Sequence, residues 1–191
     1  MARTREFDEG EVLDAIGDVF WRKGFEGSSY AELMAAAKLG KGSLYAAFGD
    51  KAALYRAALR RYIETEISAL GGLLHDATSP PASRISATFD YAIAAVEERQ
   101  DRRGCFLCNA GIDMAPHDEE VEKMVSGAFE AASGAYEAVG LEAGGAAGVG
   151  DHLFAVFLGL RVMAKAGAPV AAMRSARDAA LAPLRRRATL N

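Results

Sequence analysis

Apolar residues along this chain recur at three- and four-residue intervals and almost nowhere in strict alternation. That is the periodicity of helices packed on one side, not of strands. Val12, Leu13, Ile16, Val19 and Phe20, with Trp21 beside them, mark a first helix over about residues 7–23. Asp8, Glu9, Glu11 and Asp14 suit its positive end, and Gly24 can close it. Leu33, Met34 and Ala37 follow Ser29, which forms a capping box with Glu32 and so starts a second helix. Lys38, Leu39 and Gly40 break that helix, with Leu39 as the buried turn residue, and a short third helix over about 41–47 turns Leu44 and Phe48 inward. Asp50 can cap a long fourth helix whose apolar face runs through Leu54, Ala58, Leu59, Ile63, Ile67, Leu70 and Leu74.

The glycines at 71 and 72 weaken the end of that helix, and the polar, proline-rich run up to Pro81 is the clearest linker. A fifth helix over about 82–99 presents Ile85, Phe89, Ile93 and Val96, and an apolar segment follows from Cys105 to Met114. The next helix, from about Asp118 to Gly140, carries Val121, Met124, Val125, Phe129 and Tyr136; residues 140–150 read as a flexible loop. The last two helices, 151–166 and 170–184, are the most apolar. A helix apolar around so much of its circumference needs more than its own neighbours to bury it. A homodimer through a four-helix contact is therefore expected, with Phe154, Phe157, Gly159, Leu160, Met163, Met173 and Leu181 at the interface.

Composition adds little to that pattern, but charge changes it. The amino terminus lacks the apolar core of a secretion signal, and the longest apolar run, 153–160, is too short to span a bilayer, so a cytoplasmic location is expected. The net charge of -4 argues nothing for nucleic acid, yet Lys38, Lys41, Lys51, Arg56, Arg60 and Arg61 face the single acid Asp50 in their stretch. Arg3 and Arg5 precede the first helix on an arm with two equal readings, one that reaches a phosphate or a minor groove and one that is only a frayed, solvated terminus. Two short helices meeting at a tight break within a basic stretch have the layout of a helix-turn-helix that reads DNA. Gly42 lets backbone approach closely, Lys41, Ser43 and Tyr45 can bond phosphates or base edges, and the methyl of Ala46 can meet a thymine methyl. Ser29 can cap its helix and hold a phosphate at once.

The stretch from Ser29-Tyr-Ala-Glu-Leu33 through Lys41-Gly-Ser-Leu-Tyr45, with Phe48 and Lys51 at their spacing, resembles the DNA-binding domain of TetR-family transcriptional regulators. The resemblance covers residues 7–62. It implies an all-α chain with an amino-terminal helix-turn-helix domain, 1–62, joined by the long fourth helix to a helical ligand-binding and dimerisation domain, 63–191. It also implies a double-stranded operator as partner, a small-molecule inducer, no cofactor, and DNA contact at Ser29, Tyr30, Lys41, Gly42, Ser43, Tyr45 and Lys51. Lys38 stands where the family usually has a turn glycine, and Gly40 where a serine or threonine usually caps the recognition helix. Losing that cap costs about 1 kcal/mol or less, because glycine is a tolerable N-cap. Ala46 and Ala47 leave base preference open.

Cys105 and Cys108 share a face if their segment is helical. With one histidine, His117, nearby they fall short of a zinc site. Two small core residues are one reading of them; a switch driven by oxidation or electrophiles, helped by the upstream Arg99, Arg102 and Arg103, is another. Where the family's pocket begins, Phe89, Ile93, Phe106, Asn109, Met114, His117, Met124, Phe129 and Phe157 are the candidate lining, with Asn109 and His117 as polar selectors. Two rivals remain. A thiol-dependent enzyme would use Cys105 or Cys108 with His117 as base but has no orienting third group. A non-specific DNA-binding protein would lack a specificity ratio.

Overall fold

The computed structural model describes residues 7–188, with side chains as far as Leu184. Arg3 and Arg5 lie outside the described residues. Within them the chain is helical throughout, with no strand. The first four helices are α1 (Glu9–Lys23), α2 (Tyr30–Ala37), α3 (Lys41–Phe48) and α4 (Lys51–Tyr62); after a π-helical segment, Ile63–Ile67, comes α5 (Ser68–Leu74). The remaining five are α6 (Pro81–Glu97), α7 (Phe106–Asp113), α8 (Glu119–Glu142), α9 (Val149–Lys165) and α10 (Val170–Ala188).

The start signals work as their chemistry dictates. Asp8 accepts from the Glu11 N–H, Asp50 from Ala53 and Asp118 from Glu120 and Val121, so three helices begin on carboxylate caps. The expected single strut after Asp50 is instead interrupted. Thr65 Oγ1 donates to the Arg61 carbonyl at 2.9 Å, competing with the backbone ladder, and the turn widens there by one residue. None of Ile63–Ile67 is fully buried.

The loop expected over 140–150 is largely structured. Helix α8 continues to Glu142, and the glycines serve close packing. A Cβ on Gly140 would sit 2.5 Å from Val149, and one on Gly150 would sit 2.5 Å from the Glu137 backbone. Glu137 then caps α9, its carboxylate accepting from the N–H groups of Gly148 at 2.9 Å and Gly150 at 2.6 Å. This long-range cap left no local signal.

Two hydrophobic clusters result. One joins α1 to α4 with α7 and the first half of α8; Ile16, Phe20, Leu33, Tyr55, Leu59, Phe106 and Val121 are buried in it. The other gathers α5, α6, the second half of α8, α9 and α10 around Ile85, Phe89, Tyr136, Leu153 and Met173. Four residues expected at a dimer interface, Phe157, Leu160, Met173 and Leu181, are at most 4% exposed inside this second cluster. They are core of the subunit, because the α6 to α10 bundle already covers the inward side of α9 and α10. Phe154, Gly159 and Met163 stay half-buried.

Candidate nucleic-acid interface and regulatory cavity

The α2–α3 unit is held from behind. Leu33 and Leu44 are buried against α1 and α4, and the Tyr55 ring, fully buried, packs edge-on to Phe20 at 4.9 Å and Phe25 at 5.6 Å. Tyr55 is therefore a packing residue with no reach to a phosphate. Leu39, expected to be buried, is half-exposed but still packs on this cluster. Lys38 takes the left-handed conformation, φ 53° and ψ 32°, that glycine adopts without penalty. Gly40 caps α3 without a side-chain bond.

On the outer side Lys41, Gly42, Ser43 and Ala46 are exposed and Tyr45 is half-buried. Tyr30 and Tyr45 stack with centroids 5.4 Å apart, and the Lys41 ammonium lies 5.9 and 5.7 Å from their centroids. The Tyr30 hydroxyl accepts from the Lys51 backbone N–H at 3.2 Å, tying the start of α2 to the start of α4. The Lys51 ammonium sits 4.5 Å from the Phe25 ring. Ser29 completes the capping box: its Oγ accepts from the Glu32 N–H at 3.3 Å and its own N–H donates to the Glu32 carboxylate at 3.0 Å. Lys23 and Ser29, in that order, hold the Glu32 carboxyl down to about 2. All eight sequence-derived contact residues thus lie on the α2–α3 unit or at the start of α4.

The basic stretch is smaller than the sequence suggested. Arg56 pairs with Asp118 at 2.7 Å and Glu120 at 3.2 Å, Arg60 with Glu120 at 3.0 Å, and Arg61 with Asp14 at 3.0 Å. These arginines bind α4 to α8 and α1. Lys38, Lys41 and Lys51 are the members with no carboxylate partner among the described residues. The acids that neutralise the arginines lie far away in sequence, so counting charges locally could not find them.

A family model for bacterial regulatory proteins of the tetR family matches residues 12–58. The TetR-family transcriptional regulator CifR, solved as a cysteine mutant complexed with 26-bp double-strand operator DNA, is 28% identical with a TM-score of 0.80. That likeness covers 94% of this chain and 98% of the CifR chain. The chain belongs to the TetR family. The HTH-type transcriptional repressor DhaR of Mycobacterium sp. (strain GP1) is 30% identical over 130 residues, 68% of this chain and 63% of that protein. The uncharacterised HTH-type regulator YezE of Bacillus subtilis is 29% identical over 123 residues, 64% and 63%. The chain thus spans somewhat under two thirds of the length of these curated relatives. The TetR family is one of regulatory proteins, which removes the thiol-enzyme reading.

In this TetR-family chain a cavity of about 180 Å³ opens between the π segment, α5, α8 and α9. Its wall is apolar, with Leu70, Phe129, Tyr136, Phe154 and Phe157; its polar end is made by Tyr62, Glu66, Cys105 and Arg161. Arg161 is 5% exposed and lies 3.5 Å from Glu66, whose two oxygens accept from the Tyr91 hydroxyl at 3.1 Å. Of the nine residues expected to line a pocket, Phe129 and Phe157 do. Phe89 and Ile93 are buried in the second cluster, while Phe106, Asn109 and Met114 are buried in the first, with Met124 packed on it. Asn109 donates to the Trp21 carbonyl at 3.3 Å, and His117 is exposed. The signal that was available is Arg161, a cation set directly after the apolar run 153–160 and ahead of Val162 and Met163.

Cys105 caps the start of α7 and is 6% exposed; the Tyr62 hydroxyl lies 3.8 Å from its sulfur. The hydrogen bond from the Cys108 thiol, helped by the facing Arg161 guanidinium, holds Cys105 below the ordinary thiol value, whereas donating that bond and burial push Cys108 above it.

Proposed function

We propose that this protein is a homodimeric, sequence-specific DNA-binding repressor that releases a palindromic operator when a small molecule fills the α5–α8–α9 cavity. The observation that carries the reading is the outer side of α3. Lys41, the Ser43 hydroxyl, the stacked Tyr30 and Tyr45 and a side-chain-free Gly42 are gathered there, flanked by the unpaired Lys38 at the end of α2 and Lys51 at the start of α4. Lysines contribute phosphate affinity, and Ser43, Tyr45 and Ala46 stand where base edges would be met. An added Cβ at Gly42 would meet nothing within 4 Å, so the glycine serves no packing inside the subunit. The operator complex of the similar CifR supports the same reading.

The dimer reading rests on the outward side of α9. Ala155, Gly159, Val162 and Ala166 follow helical spacing there without a charge, and Val162 is 54% exposed. A Cβ on Gly159 would also meet open space. Val162→Glu is expected to shift sedimentation at micromolar concentration from dimer to monomer. Binding of a labelled palindromic duplex, followed by anisotropy against excess unrelated duplex, tests the DNA reading: Lys41→Ala weakens binding and lowers its salt dependence, whereas Ala46→Gln changes the preferred sequence. A regulator keeps its specificity ratio at physiological salt, and a non-specific binder loses it.

A second mode of release is favoured by one placement: Cys105, the sulfur held toward thiolate, lines the same cavity as Arg161. On this reading an oxidant or electrophile entering the cavity modifies Cys105 and has the effect of an inducer. Operator affinity should fall after mild oxidation or maleimide treatment in the wild type and in Cys108→Ser, and stay unchanged in Cys105→Ser. Equal loss in Cys105→Ser would dispose of it.

A further inference from the structure

On the opposite side of Trp21 from the first cluster lies a second, more polar hollow of about 700 Å³, lined by the end of α1, the loop between α6 and α7, and the end of α9. Its cations are Arg22 from α1, Arg99, Arg102 and Arg103 from the loop, and Lys165 from α9. Two acids offset part of this charge. Asp101 takes Arg103 at 2.6 Å, and Asp18 is shared between Arg22 at 2.8 Å and Arg103 at 2.5 Å. Arg99, Arg102 and Lys165 have no carboxylate partner among the described residues: Arg99 lies over the Tyr91 ring at 5.5 Å, and Arg102 donates to the carbonyl of Ala168 at 3.1 Å.

The loop that carries these arginines is fixed in a demanding shape. Gln100 is in the left-handed region at φ 55°, Asp101 donates its N–H to the Ala95 carbonyl at 2.8 Å, and Arg103 stacks over Trp21 at 3.9 Å. The Nε1–H of Trp21 is buried without an acceptor. A pre-shaped concavity with convergent, partly uncompensated arginines matches the planar, multidentate demands of phosphate oxygens. The Trp21 ring is already occupied by Arg103 at 3.9 Å, Arg161 at 5.9 Å and Phe106 at 6.4 Å, which leaves no place for a stacked base.

We infer that this hollow is an effector site for a small polyanion of the phosphate type, bridging Arg22 of the amino-terminal unit to Arg99, Arg102 and Lys165 of the helical core. Such a ligand would tie α1 to the ends of α6 and α9. It lies outside the apolar cavity and can act together with a ligand there. Its source is either a free polyphosphate or the phosphates of a nucleotide.

The chain has a single tryptophan, and it lines the hollow. Emission from Trp21 therefore reports on Arg103 above it. The test titrates the full chain, without DNA, with pyrophosphate, ADP and citrate, holding ionic strength constant with sodium chloride. A saturable emission change with pyrophosphate is expected, together with a roughly tenfold weaker response in the Arg99→Gln/Lys165→Gln double variant. Circular dichroism of that variant should show the wild-type melting curve, since neither side chain is buried. Tighter binding of ADP than of pyrophosphate assigns the ligand to nucleotides, and equal or weaker binding assigns it to free polyphosphates. A response no larger than that to sodium chloride, equal binding of citrate, or an unweakened double variant would overturn the inference. Because the signal is read on the protein alone, none of these outcomes depends on operator recognition.

Discussion

The two hydrophobic clusters are built from the same residue types, yet the first closes around a run of aromatic contacts while the second borders a cavity along most of its seam with the first. The first is a run of aromatic contacts. Phe106 touches Tyr55 at 5.4 Å, Tyr62 at 5.6 Å and Trp21 at 6.4 Å between centroids, and it comes from α7, far in sequence from the helix-turn-helix it supports. The second also stacks aromatics, Phe89 with Tyr136 at 6.2 Å and Phe157 at 6.5 Å, and ties Tyr136 to Thr88 through a 2.7 Å hydroxyl bond. Between the second cluster and Tyr62 lies the 180 Å³ cavity. On the proposed reading, a ligand that fills the cavity would favour one arrangement of the region around it, and the first cluster would carry that change to the helix-turn-helix. The π-helical segment, Tyr62 and Cys105 stand where the two meet.

The sharpest way to break this comparison is to truncate one aromatic from each cluster. Phe106→Ala should lose about 4–5 kcal/mol in urea unfolding, the upper part of the range for buried phenylalanine, and should weaken operator binding with it. Phe157→Ala, beside an existing void, should lose about 3 kcal/mol and leave the amino-terminal unit unaffected. Equal losses in both would mean that the clusters do not differ in packing. Arg56→Ala should cost about 1 kcal/mol by freeing α4 from Asp118 and Glu120, and should loosen the α4–α8 contact in hydrogen exchange.

Smaller changes sharpen the picture of the turn. Lys38→Gly is expected to stabilise by about 0.5–1 kcal/mol, relief of the left-handed strain outweighing the extra freedom of the unfolded chain; an unchanged or lowered midpoint would refute the strain. The capping box gives a signed pH effect. The Glu32 carboxyl is depressed from 4.5 to about 2, so its contribution is complete above pH 4.5 and is lost as pH falls toward 2. Glu32→Gln should therefore flatten the stability profile within that window and leave it unaltered above.

What was legible in the sequence was what depends on neighbours along the chain. The caps at Ser29, Asp50 and Asp118, the break at Lys38 and Gly40, and the inward Leu33 and Leu44 all follow from residues a few places apart. The exposed set on α3 was legible for the same reason. What could not be read depends on contacts across the fold. The arginines of α4 find acids in α8 and α1, the 105–114 segment packs mainly behind the helix-turn-helix and reaches the cavity through Cys105 and Leu107 alone, and Gly140 and Gly150 are set by close helix contact. The cavity's polar end needs Glu66, Cys105 and Arg161 to converge from three separate segments, which no local spacing encodes.

The central claim is that paired copies of α3 read a defined duplex. Selection from a random duplex pool at physiological salt tests it most directly. The expected result is a palindromic consensus with half-site centres about one helical turn, roughly 34 Å, apart, lost in Lys41→Ala/Tyr45→Ala. A pool that emerges without a consensus, or a consensus that the double variant still selects, would contradict it.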